Sequence, residues 1–114
     1  MATNDFRENL ISLLRTIASD GSQHKYEKEV SIGNVSEELI CGWCDDLYHP
    51  NTSLFESAFN SQERRELDRF NYFFDKYINS IPEKQKLIDL QNSYEWKEIQ
   101  SLASQTIIKC GWDE

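Results

Sequence analysis

Apolar residues return every third or fourth position through most of this chain, a spacing that suits helices and little else. Phe6, Leu10, Leu13 and Ile17 form the first such series, and Asp5 with Glu8 has capping-box spacing, which predicts a helix from Asn4 or Asp5 to a stop at Gly21. Ile40, Trp43, Cys44 and Leu47 fall at i, i+3, i+4 and i+7, which predicts a second helix over Val35 to Tyr48, closed by Pro50. Asn51, Thr52 and Ser53 then offer an N-cap for a short helix bearing Leu54, Phe55, Ala58 and Phe59.

Farther on, Asn60 with Glu63, or Ser61 itself, can cap a long helix whose buried face is Leu67, Phe70, Phe74, Tyr77, Ile78 and Ile81. After a polar segment through Leu87, Ile88 and Leu90, Asn92 and Glu95 have capping spacing ahead of Trp96, Ile99, Ala103, Thr106 and Ile107. Gly111 stands where a helix end favours a left-handed residue, with Trp112 placed to pack back. Residues 22 to 34 carry no helical period, and Tyr26, Val30, Ile32 and Gly33 predict a loop or a short extended segment near residues 25–33. The expected architecture is all-α, a compact bundle of four or five helices in one domain over residues 1–114.

Charge narrows the function classes. Twelve basic against twenty acidic residues give a formal net charge of -8, which repels nucleic-acid phosphates and anionic lipids and attracts basic proteins. Asp5 and Glu8 stand where a signal peptide needs positive charge, and Arg15 interrupts the apolar residues before a membrane-spanning length is reached. A cytoplasmic protein with no membrane partner is expected. Three cysteines, an odd number, read as free thiols in a reducing compartment.

The negative charge is unevenly placed. Residues 29 to 63 hold Glu29, Glu37, Glu38, Asp45, Asp46, Glu56 and Glu63 without one Lys or Arg. Projected at 100° per residue, Glu37, Glu38 and Asp45 lie opposite Trp43 and Leu47, and Asp46 beside the apolar boundary. Solvated helix faces ordinarily mix signs for i,i+4 pairing, and unpaired like charges cost a few tenths of a kcal/mol each, so this face is a candidate for a cationic partner as well as for plain solvation.

Other constellations carry blander readings. Cys41-Gly42-Trp43-Cys44 has the C-x-x-C spacing of redox and metal sites, with His49 near. Glu37, Glu38, Asp45 and Asp46 surround it, however, and negative neighbours raise a thiol pKa, so Cys44 is read as core packing. His24 and Cys110 have no paired spacing with which to complete a zinc site. Asp45, Asp46 and His49 contain the groups for acid–base hydrolysis, but adjacent carboxylates on a helix diverge by about 100°. No Gly-rich phosphate loop, nucleophile elbow or HExxH motif accompanies them, and an enzyme is not expected. Tyr72 and Phe73 lie off the main stripe of their helix and are read as covering a second buried face, the alternative being an exposed partner anchor.

The run Trp43-Cys44-Asp45-Asp46-Leu47-Tyr48-His49-Pro50, followed by Phe55, Phe59, Ser61, Glu63, Leu67 and Phe70, resembles the small helical immunity proteins of bacterial toxin–immunity pairs, including those of contact-dependent growth inhibition. The likeness is a cadence of helix ends and aromatics over roughly a quarter of the chain. It implies a cytoplasmic protein, needing no cofactor, that blocks a cognate toxin domain, often a nuclease, by covering its active site or substrate groove. Under this reading Glu37, Glu38, Asp45, Asp46 and Glu56 form the electrostatic surface, with Tyr48 and His49 as central contacts. Two further readings stand beside it: an acidic adaptor that docks a basic segment of another protein, and a metal or redox protein using Cys41 and Cys44.

Overall fold

A computed structural model describes residues 3–29, 35–81 and 86–112, and for Thr3, Glu29 and Asp46 it describes the backbone alone. Among these residues the fold is all-helical, with no strand. The elements are α1 (Thr3–Ala18), α2 (Asp20–Glu29), α3 (Val35–Cys41), which runs into a π-helical turn (Gly42–Leu47), α4 (Ser53–Ala58), α5 (Ser61–Ile78), α6 (Leu87–Asn92) and α7 (Tyr94–Lys109). The all-α bundle stands as expected, with seven α-helices among the described residues where four or five were expected, because α2 and α6 occupy stretches with too little apolar periodicity to announce them.

Three long helices make the frame. α7 packs against both α1 and α5, α4 lies on α1, and the π turn rests against α1. One contiguous core fills the space between them: Phe6, Leu10, Leu14 and Ile17 from α1, Trp43 from the π turn, Phe55 and Phe59 around α4, Leu67, Phe70 and Phe74 from α5, and Trp96 and Ile99 from α7. Burying each such side chain stabilises the fold by about 1.5–3 kcal/mol, which makes the aromatic-rich core the main source of stability. Leu14, not Leu13, continues the buried stripe of α1; Leu13 is half-buried at the edge. No helix among the described residues is long and apolar enough to cross a membrane.

Several helix ends follow the capping chemistry expected of them. Asn60 Oδ1 accepts from Glu63 N–H at 2.8 Å while Glu63 Oε1 accepts from Asn60 N–H at 3.0 Å, a complete capping box. Thr52 caps α4 by accepting from Phe55 N–H. At the end of α7, Gly111 takes φ +72°, Trp112 N–H reaches the Ile107 carbonyl at 2.9 Å and Gly111 N–H the Ile108 carbonyl at 3.1 Å. That is the Schellman pattern, and it folds Trp112 back into the core. The cap of α7 is Ser93, which accepts from Trp96 N–H; the expected Asn92 instead ends α6, the helix formed within the segment read as polar through Leu87, Ile88 and Leu90.

Residues 20–29 depart most from expectation. They form α2, so the loop or extended segment near residues 25–33 is not found over its described part, and residues 30–33 lie outside the described residues. Gly21 sits inside α2, since Ser19 breaks the chain earlier and its hydroxyl accepts from Ser22 N–H. The helix docks through a polar side chain. Gln23 is 0% exposed and donates from Nε2 to the carbonyls of Thr16 (3.0 Å) and Ile17 (2.8 Å), the orphan acceptors at the end of α1. Its Oε1 accepts from Gln91 Nε2 at 2.9 Å, and Gln100 ties Asp20 to α7 at 2.7 Å. An apolar pattern cannot reveal a helix held this way.

Candidate functional site

The π turn organises the acidic region. Tyr48 N–H bonds the Trp43 carbonyl at 2.9 Å, an i→i+5 bond that admits one residue more than an α turn. Trp43 holds the turn in place. It is 0% exposed, donates from Nε1 to Asn71 Oδ1 at 2.9 Å, meets Phe70 edge-on at 4.9 Å and stacks on Tyr48 at 4.9 Å with 13° between planes. The widened turn breaks the 100° projection at this point. Cys44, expected in the core, is exposed instead.

Glu37 and Glu38 occupy the first turn of α3, where the helix dipole favours carboxylates, and both are exposed. Glu38 accepts from Tyr26 O–H at 2.8 Å, and that bond raises the Tyr26 phenol pKa above its ordinary value. Asp45 is exposed on the π turn; the side chain of Asp46 lies outside the described residues. Glu56 is exposed at the start of α4. His49 is exposed and its Nε2–H donates to the Asp45 carbonyl at 2.6 Å, so its ring nitrogen is engaged by backbone at the end of the turn. Tyr48 is half-buried, with its hydroxyl donating to Asp68, and burial together with that bond drives its phenol pKa far up. Its aromatic body is thus part of the packing around Trp43.

Glu63, the last carboxylate of the acidic run, does not belong to the surface. It is 7% exposed and pairs with Arg7 through two bonds, Nη1 to Oε1 at 2.8 Å and Nη2 to Oε2 at 2.7 Å. Trp112 Nε1–H adds a third donor at 3.1 Å. Arg7, foremost, with the Asn60 and Trp112 donors, holds the Glu63 carboxyl below the usual range against the opposing effect of burial.

Two carboxylates that the sequence reading passed over join the surface. Asp68, Asn71 and Asp75 stand at i, i+3 and i+7 on α5, and that face lies along the π turn: Asp68 accepts from Tyr48, Asn71 from Trp43, and Asp75 acts on the Cys44 thiol. Asp45 acts on the same thiol from the π turn. Desolvation first, then Asp45 and Asp75, pushes Cys44 up to about 11. Cys110 is also pushed to about 11, by desolvation and then Glu63 and Glu66. Among the described residues no group of three or more His, Cys, Asp or Glu side chains is arranged to hold a metal ion.

A cavity of about 630 Å³ opens between α1 and the α3–π segment. Leu13, Leu39 and Leu47 supply its apolar lining, Ser12 and Thr16 its hydroxyls, and Glu38 its carboxylate. Away from these features, Tyr72 is 66% exposed, so it covers no second buried face, while the half-buried Phe73 lies edge-on to it and under the Arg69 guanidinium. Comparison with protein-family models, with characterised proteins and with solved structures finds no significant match.

Proposed function

We propose that this chain is an immunity protein, which binds a basic toxin domain in the cytoplasm of the cell that makes it and neutralises the toxin by covering its active site or substrate groove. The observation that carries this reading is that the π turn and one face of α5 are held side by side, Tyr48 O–H on Asp68 and Trp43 Nε1–H on Asn71, with Asp45 exposed on the turn and Asp68 and Asp75 exposed on that helix face. Carboxylates held on two packed elements keep a fixed spacing, as the phosphates of a nucleic acid do. A nuclease must present cationic groups to hold such phosphates, so a rigid anionic surface competes for the same groups and steers the encounter. Glu37, Glu38 and Glu56 extend the field, and neither a cofactor nor a reaction is required.

The test is co-expression with the toxin domain encoded beside this chain. A complex that survives purification and protects the cell is expected. Asp45→Lys combined with Asp75→Lys should slow association at least tenfold at low salt and flatten its salt dependence, leaving the helical spectrum unchanged. Absence of binding and protection by the wild-type chain overturns the reading; unchanged association of the charge-reversed chain moves the interface elsewhere.

A further inference from the structure

The cavity between α1 and the α3–π segment has a lining that one ligand chemistry satisfies. Its floor is apolar, from Leu13, Leu39 and Leu47, and among the described residues that line it Glu38 carries the charge. Tyr26, also in the lining, orients that carboxylate by donating to Oε2 at 2.8 Å. Gly42 keeps the space open: a Cβ there would already stand 3.4 Å from Leu13 Cδ2, and a longer side chain would enter the groove.

Three classes of occupant fail on one count each. An anion meets the Glu38 carboxylate; a wholly apolar group buries its negative charge with the Tyr26 hydroxyl as donor and no cation to balance it. A compact, strongly hydrated cation makes no use of the apolar floor. A cation on a methylene stem meets both demands, and a planar guanidinium does so best, since it pairs with a carboxylate and lies against a tyrosine ring. The volume, within the range of small-ligand sites, suits an arginine side chain and part of its neighbour.

We propose that this groove receives an arginine side chain from a basic segment of the protein partner, its stem on Leu13, Leu39 and Leu47 and its guanidinium on Glu38. The proposal rests on the reading above only in taking the partner to be a basic protein.

The probe is the capped dipeptide acetyl-Leu-Arg-amide, titrated into the whole protein and followed by NMR through the methyls of Leu13, Leu39 and Leu47 and the amide of Gly42. Saturable shifts in the millimolar range are expected. The citrulline analogue, of equal shape and no charge, should bind about tenfold more weakly, the loss of one charge-assisted contact. Glu38→Gln should bring the arginine peptide to the citrulline level, and Ser12→Trp, at an exposed position on the rim, should abolish binding without touching the core. Equal binding of the two peptides, absence of saturable shifts, or shifts confined to the residues around Cys44 overturns the groove assignment. Arginine binding here by a chain that neither binds nor protects against the toxin domain supports the groove and defeats only the immunity reading. A toxin complex unaffected by Glu38→Gln and Ser12→Trp does the reverse.

Discussion

Arg7 and Glu63, 56 positions apart, meet in a two-point ion pair that ties α1 to the start of α5. Arg7 also reaches the Ala58 carbonyl at 2.9 Å and lies over the rings of Phe59 and Trp112, so one guanidinium joins α1, α4, α5 and the C-terminal turn. Glu63→Ala removes the pair, half of the capping box and the Trp112 acceptor, and should cost about 3 kcal/mol in urea unfolding. Arg7→Ala leaves Glu63 its Asn60 and Trp112 donors and should cost less, about 2 kcal/mol. The double variant should lose clearly less than the sum, since both single changes break the same pair. Additive losses would show that the two residues stabilise the fold independently.

The same pair sets an acid limit. The Glu63 carboxyl is held below its ordinary 4.5, so its contribution is fully present above that pH and is lost as pH falls through the lower folded value. Wild type should therefore lose stability on acidification below about pH 4.5, and the gap between it and Glu63→Gln in urea midpoint should narrow as the pH falls further. A gap that stays constant over that range would assign the cost of the substitution to packing.

Gln23 replaces an apolar anchor by three hydrogen bonds, two of them buried. Gln23→Leu keeps the volume but strands the Ile17 carbonyl and the Gln91 amide, at about 1–3 kcal/mol for each group left buried and unpaired, while the Thr16 carbonyl keeps its bond from Ser19 N–H at 3.3 Å. Because Gln23 is, among the described residues, the buried side chain of α2, with Asp20–Gln100, Tyr26–Glu38 and the half-buried Tyr26 ring beside it, amide exchange over residues 20–29 should accelerate at least tenfold while α5 and α7 keep their protection. Uniform loss of protection in all helices would mean that α2 opens only with the whole fold.

These residues also explain what could be read in advance. The Asn60–Glu63 box and the Gly111–Trp112 turn are local chemistry, each completed within a few positions, and both stand as the spacing implied. Gln23 was invisible because hydrophobic periodicity assigns a glutamine to solvent. Cys44 was misplaced because a 3.6-residue projection does not cross an i→i+5 turn. The acidic run was real as a sequence but altered in space. Glu63 left it for Arg7, while Asp68 and Asp75, masked in sequence by Arg64, Arg65, Arg69 and Lys76, entered it along one face of α5.

Gly111 isolates a backbone effect. At φ +72° an added Cβ would meet nothing within 4 Å, so Gly111→Ala brings left-handed strain without a clash and should cost about 1 kcal/mol. Gly111→Asn should cost less, since asparagine tolerates this conformation. Equal losses for Ala and Asn in thermal unfolding would point to a side-chain cause.

Cys44 separates exposure from reactivity. The residue is exposed, yet partial burial of its thiol, with Asp45 and Asp75, pushes its pKa up to about 11 against an ordinary 9.0, which leaves roughly a hundredfold less thiolate at pH 8. In a Cys41→Ser, Cys110→Ser background, iodoacetamide should alkylate Cys44 well below the rate of an unhindered cysteine. Asp75→Asn removes one of the charges that oppose the thiolate and should raise that rate several-fold at low salt, with the increase shrinking as salt screens the remaining field. A rate equal to that of free cysteine would mean that the carboxylates do not act on the thiol together.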